Sequence, residues 1–372
     1  MFFLVHFCTK ILKKIKKILI IIQRSNGDVF LSANLIMALY KHFDSPKIDL
    51  LVNDDTFAIA NMLPNISFIH QFSYQKKNDN KWRQEKTLIQ AIYKKYDLSI
   101  NLTASDRSVI YSWLSGKRSI SAIEKIHTKS WWKKLFLSQY YYFDSSKHIL
   151  VNNSEPLKCL GISFKKTQDS LLIEDDVLLT ISKRLEKLNI NKFIIFHPSA
   201  QYWYKIYSKR LRSKLLIELS KLGIPVIVTG SNNRIDLKIK SEIPKEVNIF
   251  NFIGETSLEE YFALSYLSLA YIGMDTLNMH IAASQNKRIF AIFGPTKLKM
   301  WAPWSNEVEY SASKDMPIQT YGNVTIFQAD MPCVACGNGG CDNKGMSECL
   351  DNISPAIILK EVERWTKEFI KF

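Results

Sequence analysis

Glycine and proline are scarce in this 372-residue chain, 13 and 11 in number, which excludes a collagen-like rod and a low-complexity linker protein. No repeat of 20–50 residues recurs, so solenoid and propeller arrays are set aside. Hydrophobic residues make up 47% of the chain but are interrupted well short of the roughly 18 apolar positions that a membrane-spanning helix needs. Only six cysteines occur, and four of them crowd between Cys333 and Cys349; a secreted disulfide framework does not look like that. Acidic residues are outnumbered 35 to 50 by Lys and Arg, leaving a net charge of +15.

What is present suffices to bury about two ordinary cores. The charge is unevenly placed. Residues 1–17 hold five lysines and no acid, and residues 76–147 hold 15 Lys/Arg against 6 Asp/Glu, so the anion-facing surface belongs to the N-terminal half. An anionic partner of that kind is nucleic acid, a membrane face or a phosphorylated substrate. The opening segment is not a secretory signal, because Lys10, Lys13, Lys14, Lys16 and Lys17 interrupt or follow its apolar residues rather than precede them. Residues 1–16 instead suit a short basic amphipathic helix lying on an anionic leaflet, and the chain reads as cytoplasmic.

Short apolar runs alternate with helical stretches, the pattern of parallel α/β architecture. A strand is expected over residues 18–22, then Gly27-Asp28 and a helix with Leu31, Leu35, Leu39 and Phe43 on its apolar face, then strands over 48–52 and 98–102. Residues 131–142 are aromatic and basic without clear periodicity, and residues 144–176 read as a polar interdomain connection. A second alternation follows, with strands over 193–197, 225–229, 247–250, 269–272 and 288–293 and helices over 208–222, 257–265 and 278–285. Two doubly wound, Rossmann-like halves are expected, facing each other across a ligand cleft.

Each candidate site residue falls just after an expected strand, where open α/β sheets bind ligands. Asp28, following Gly27, stands at a helix start, where it serves either as a base or as a cap. His197-Pro198-Ser199 and Lys205 offer a hydroxyl and an ammonium on a strand-to-helix loop, which suits a phosphate. Gly273-Met274-Asp275-Thr276-Leu277-Asn278-Met279-His280 places a helix start, with its free amides and the Thr276 hydroxyl, after another strand. Such a terminus attracts anions.

Taken together, Ile272-Gly273-x-Asp275-Thr276-x-x-Met279-His280-x-Ala282-Ala283, Phe293-Gly294-Pro295-Thr296, Trp301-x-Pro303-Trp304-Ser305-Asn306 and Gly254-x-Thr256-Ser257-Leu258 resemble glycosyltransferase family 9, the ADP-heptose:lipopolysaccharide heptosyltransferases. The segments around Asp28 and around His197 to Lys205 come in the order that family uses, and the likeness spans about residues 16–355, leaning toward the heptosyltransferase III branch. The resemblance implies a GT-B fold with an acceptor-binding N-terminal domain over residues 1–165 and a nucleotide-sugar-binding domain over 175–340. It also implies a tail over 341–372 packing back toward the first domain.

Carried over residue by residue, the resemblance implies that Asp28 is the catalytic base. It places Ser199, Lys205, Thr256, Asp275, Thr276, Leu277 and His280 around the donor: Lys205 on the diphosphate, Ser199 in the loop beside it, Thr256 near the adenine. The reaction implied is metal-independent, inverting transfer of heptose from ADP-heptose to the lipopolysaccharide inner core. Its setting is the cytoplasmic face of the inner membrane of a Gram-negative bacterium, with peripheral membrane contact, a monomeric enzyme and no nucleic-acid partner. Leu277 departs from the family, which usually has glycine there, and this keeps another nucleotide sugar open as donor.

No Asp-x-Asp occurs in the chain, which argues against a metal-bridged diphosphate and leaves Lys205 and the helix start to neutralise the leaving group. No cofactor is expected for transfer. Cys333, Cys336, Cys341 and Cys349 could hold a structural zinc or iron–sulfur group, or remain thiols. A dehydrogenase is disfavoured, since no G-x-G-x-x-G follows the strands over 18–22 or 193–197. A basic nucleic-acid- or membrane-binding protein is the rival outside the enzyme class, on the strength of the charge and the Trp/Tyr of 131–142.

Overall fold

The computed structural model describes residues 15–74, 77–125, 131–163, 171–342 and 345–369. Apart from its last two residues, the basic segment expected to lie on a leaflet is therefore outside the described residues. The chain divides into two compact units, residues 1–166 and 167–372.

The first unit is built on six parallel strands: β1 (Lys17–Ile22), β2 (Lys47–Asn53), β3 (Ile66–Phe72), β4 (Tyr96–Asn101), β5 (Gly116–Ile123) and β6 (Gln139–Tyr142), in the order β3-β2-β1-β4-β5-β6. β1, Lys-Ile-Leu-Ile-Ile-Ile, is buried on both faces after its first residue, as a central parallel strand must be. Its Leu19 and Ile21 meet Leu88 and Ile92 of the helix Lys77–Ile92 in one cluster. Each such aliphatic side chain taken fully from water contributes about 1.5–3 kcal/mol.

Two expectations are corrected here. The stripe Leu31, Leu35, Leu39 does not lie on one helix: the chain breaks after Asn26–Phe30, where the Ser32 hydroxyl donates to the Val29 carbonyl (2.7 Å), and restarts as Ala33–His42. Residues 144–176 are not simply a connection, because they contain the helix Ile149–Cys159, which packs on Ala33–His42. Its polar residues disguise it. Asn152, Asn153 and Ser154 are buried, and Asn152 satisfies its amide on the Asp144 and Lys147 carbonyls (2.9 and 3.1 Å).

The second unit has seven strands: β7 (Ile194–His197), β8 (Val226–Val228), β9 (Ile249–Asn251), β10 (Ala270–Met274), β11 (Arg288–Ile292), β12 (Ile318–Tyr321) and β13 (Val324–Phe327), in the order β9-β8-β7-β10-β11-β13-β12. All pairings are parallel except the β12–β13 hairpin, whose turn passes through Gly322 at φ +47°. Helices Lys209–Ser220 and Pro355–Phe369 pack on each other. The latter seats Ile358 and Val362 in the core of this unit and sets Trp365 edge-on to Phe290 (5.8 Å). Those are the contacts of the C-terminal tail helix.

Candidate active site

In the first unit β2 and β4 flank β1 on opposite sides, so the sheet changes winding direction at the C-terminal end of β1, where such sheets open a crevice. Asp28 lies there, in the first turn of the helix Asn26–Phe30. It is 3% exposed. Ser25 donates to its Oδ2 from both the backbone N–H (3.3 Å) and the hydroxyl (2.7 Å), and the Arg24 guanidinium meets its Oδ1 at 3.0 Å. The cap reading of Asp28 holds: Ser25 is the N-cap, and the Asp28 carboxylate closes the capping box from the third helical position.

Burial pushes the Asp28 carboxyl above the ordinary aspartate range, against the downward pull of Arg24 and of the Ser25 donors. A raised proton affinity makes the ionised form a better base than a solvated carboxylate. Around it, Asn153 donates to the Asp28 carbonyl (3.3 Å), and Arg24 stacks over Phe143 (4.6 Å), which fixes the guanidinium from its far side. Arg24 was not singled out from the sequence. Its signal was the i, i+4 spacing to Asp28.

In the second unit the winding reverses between β7 and β10. His197 ends β7 and is paired in register with Gly273 of β10. A β-carbon on Gly273 would stand 2.4 Å from the His197 carbonyl oxygen, so only glycine permits this approach. Beyond it, β10 passes through Asp275 into the helix Leu277–Ser284, with Thr276 extended at its N-cap position (φ −143°, ψ 173°). The Thr276 hydroxyl lies 3.4 Å from the Tyr271 hydroxyl, and Tyr271 in turn donates to the Met274 carbonyl (2.8 Å). No side-chain cap bond is made by Thr276, so the first amides of this helix lack the usual capping acceptor and suit an anion.

Lys205 reaches the same place from the loop after β7. Its Nζ lies 2.9 Å from Asp275 Oδ2, with the lysine side chain 25% and the aspartate 7% exposed. Burial draws the ammonium's proton affinity down, but the Asp275 carboxylate outweighs it and the net shift is upward; Lys205 stays charged at neutral pH. His280, one turn into the helix, feels both partners. Burial lowers it to about 4, with Asp275 pulling up and Lys205 down, so it is a neutral ring. His197 is likewise lowered to about 4 by burial, despite the nearby Asp236. Its Nδ1 sits 3.0 Å from the Thr229 hydroxyl and 3.3 Å from the Asn278 amide, tying β7, β8 and the helix start together.

The structure thus brings Lys205, Asp275, Thr276, Leu277 and His280 together at one strand-to-helix junction. Ser199 and Thr256 are placed differently. Ser199 is buried and its hydroxyl donates to Asp236 Oδ1, whose other oxygen holds the Ser231 N–H and hydroxyl (2.5 and 2.8 Å). The Ser199 hydroxyl is therefore spent on fixing the loop, and Asp236, which sequence reasoning missed, is what anchors it. Thr256 lies after β9, just ahead of the helix Leu258–Leu267 that Ser257 caps, and is half-buried.

The cysteine segment borders this region. The Gly337 N–H donates to the Pro295 carbonyl (2.8 Å), which lays the loop on the Phe293–Thr296 turn. Cys159, Cys333, Cys336, Cys341 and Cys349 are free thiols. Burial pushes Cys349 up to about 11, and Cys341, Cys336 and Cys333 add to the effect. Among the described residues, no group of three or more His, Cys, Asp or Glu is arranged to hold a metal ion.

Comparison with known proteins accords with this architecture. The family model described as glycosyltransferase family 9 (heptosyltransferase) matches residues 86–327. Lipopolysaccharide heptosyltransferase 3 of Escherichia coli strain K12 is 26% identical over 293 residues, covering 77% of this chain and 85% of that protein. Among solved structures, E. coli ADP-heptose lps heptosyltransferase II superposes with a TM-score of 0.68 at 16% identity, covering 95% of this chain and 99% of the other. E. coli heptosyltransferase WaaC with ADP gives 0.68 at 14%, covering 94% and 99%. The two Rossmann-like domains are those of the GT-B fold. With the family model spanning residues on both sheets and the signature at β10 in place, the chain belongs to glycosyltransferase family 9, the heptosyltransferases.

Proposed function

We propose that this protein transfers heptose from ADP-heptose to the inner core of lipopolysaccharide with inversion at the anomeric carbon, working peripherally at the cytoplasmic face of the inner membrane. The observation that carries the reading is the junction of β10 with the helix Leu277–Ser284. An amide terminus without a side-chain cap, a charged lysine held by Asp275 (2.9 Å), and a neutral buried histidine make a site for a diphosphate rather than for a planar redox cofactor.

In this reading Asp28 accepts the proton of the acceptor hydroxyl as its oxygen bonds to the anomeric carbon. The bond from that carbon to the diphosphate oxygen breaks, and its electron pair leaves on ADP. Charge that develops there is met by the amides of residues 277–279 and by Lys205. Asp275 keeps Lys205 oriented, and Asp236 holds the Ser199 loop that carries it. A single carboxylate base suits direct displacement, and hence inversion. Arg24 pulls the Asp28 proton affinity down but burial outweighs it, which leaves the carboxyl more basic than a solvated aspartate.

A second reading keeps the fold and mechanism with a different nucleotide sugar, and rests on Leu277, whose β-carbon stands where the donor approaches. Calorimetric titration with ADP, UDP and NAD, with and without chelator, separates them. Selective, chelator-insensitive ADP binding is expected. A preference for UDP would move the donor, and binding of none of the three would sink the nucleotide-sugar site.

A further inference from the structure

The helix Trp131–Phe136 packs Trp132 on the small cluster of Val109, Ile123 and Leu137 but leaves its other apolar side chains exposed. Lys133 is 1% exposed, its Nζ held by Asp106 Oδ1 at 2.7 Å and by the Ala104 carbonyl at 2.9 Å. Trp131, by contrast, is 66%, Leu135 70% and Phe136 45% exposed. A globular helix normally buries such residues and shows its lysines to water. Here the buried Lys133 reaches out to the exposed Asp106 and holds the helix in place while Trp131, Leu135 and Phe136 stay in water. Apolar surface left contiguous and uncovered in this way marks a contact face.

The face does not end at this helix. Trp113, on the helix Asp106–Ser115, is 43% exposed and packs on Phe136 at 4.7 Å. On the other flank lies β6, the sheet's edge strand, with Tyr140 and Tyr142 about two-fifths exposed. Lys134 spans them, its Nζ 5.6 and 5.5 Å from the two rings and donating to the Tyr142 hydroxyl at 3.1 Å. From Arg107 to Tyr142 the sequence carries seven Lys/Arg and a single acid, Glu124; acids outside this stretch pair with three of the cations, Asp106 with Lys133, Glu85 with Arg107 and Asp97 with Lys117.

We propose that this face, centred on Trp131, Leu135 and Phe136, is where the protein docks on an anionic lipid bilayer. The composition selects that occupant. Trp and Tyr rings settle at the headgroup level, where one edge is wet and the body is apolar, lysine stems lie along apolar surface with the ammonium at the phosphates, and the exposed Lys134, lying over the Tyr140 and Tyr142 rings, is drawn to an anionic leaflet. None of the described helices is long and apolar enough to cross a membrane, so attachment through this face is lateral. The inference rests on the reading of the acceptor as membrane-borne for its purpose, and on the exposed side chains of this helix for its location.

The test uses the purified full chain with vesicles of phosphatidylethanolamine and phosphatidylglycerol, and vesicles of phosphatidylcholine alone. Binding is read by flotation for the wild type, for Trp131→Ser/Leu135→Ser/Phe136→Ser, and for Lys134→Glu. All four positions are at the surface and outside the proposed active site. The triple variant is expected to lose about tenfold or more in affinity for the anionic vesicles, and Lys134→Glu to lose most of the preference for them over phosphatidylcholine. Calorimetric ADP affinity and transfer to a soluble, delipidated core oligosaccharide should stay at the wild-type level in both variants.

Vesicle binding that survives the triple substitution overturns the proposal and assigns membrane attraction elsewhere in the chain. A wild type that ignores vesicles but self-associates with rising concentration, in a manner the triple substitution abolishes, also overturns it, in favour of a second copy of this chain as the occupant. Loss of vesicle binding in the triple variant upholds the face even if no oligosaccharide is glycosylated, a result that would fall on the substrate reading alone.

Discussion

Asp28 is held between two opposed influences, and the balance is what can be measured. Burial raises its proton affinity while Arg24 (3.0 Å) and Ser25 lower it. The acting form is the carboxylate, so kcat/KM should fall as pH falls through the Asp28 pKa. Because the net shift is upward, that fall begins at higher pH than for a solvated aspartate. Arg24→Gln removes a lowering influence and should move the acid limb of the profile to still higher pH; a limb that stays in place would dissociate Arg24 from the base. Asp28→Asn should cost about 10²–10⁴-fold in kcat with ADP affinity nearly unchanged, and unchanged turnover would remove Asp28 as base. Lys205→Ala should act in the complementary way. A charge-assisted bond to phosphate is worth about 1.5–3 kcal/mol, so ADP should bind roughly ten- to a hundredfold more weakly, as calorimetry would show. The same substitution strips Asp275 of its cation (2.9 Å) and leaves a buried charge unpaired, so Lys205→Ala paired with Asp275→Asn should recover stability without recovering ADP affinity.

At the scale of elements, the crevice of the second unit is built where β10 meets β7 with no room for a side chain on Gly273. Gly273→Ala would drive a β-carbon to within 2.4 Å of the His197 carbonyl oxygen, a clash with backbone that no rotamer relieves. Overpacking of this kind costs about 1–3 kcal/mol or more. The expected result is a lowered melting temperature together with weakened ADP binding, since β7 and β10 each carry part of the site; a variant with unaltered melting and affinity would show that the strands can part freely. Such strands were legible in the sequence. Ile-Leu-Ile-Ile-Ile of β1, Ile-Ile-Phe-His of β7 and Ile-Phe-Ala-Ile of β11 are apolar runs because both faces of a parallel sheet are covered, and the site residues follow them directly. Among the elements that escaped are several whose polarity misleads. β3 is an edge strand with Ser67, Phe68 and Gln71 exposed, so it lacks the buried-run signature. The helix Ile149–Cys159 buries Asn152, Asn153 and Ser154, and Trp131–Phe136 exposes Trp131, Leu135 and Phe136, so both defeat any reading by amphipathic period. Asp236 escaped for a related reason: an aspartate three residues past Asn233 reads as a helix start, and only the fold reveals that it turns inward to Ser199 and Ser231.

Charge is distributed at the scale of the whole molecule. Residues 1–166 hold 26 Lys/Arg and 12 Asp/Glu, a net +14, and residues 167–372 hold the remaining +1. In the proposed reaction the two substrates fall on different units, so this asymmetry has a kinetic signature. An anionic acceptor met by the first unit is drawn by a field that salt screens, with a Debye length of about 10 Å at 0.1 M. The donor diphosphate is met in the second unit by one lysine, itself paired to Asp275, and by backbone amides, and partly buried contacts of that kind are screened much less. Raising ionic strength should therefore raise the acceptor KM by about tenfold while the ADP dissociation constant, measured by calorimetry in the same buffers, moves far less. Equal salt dependence of the two would mean that the basic surface of the first unit serves something other than the acceptor, and vesicle binding measured across the same salt series would show whether that something is the membrane.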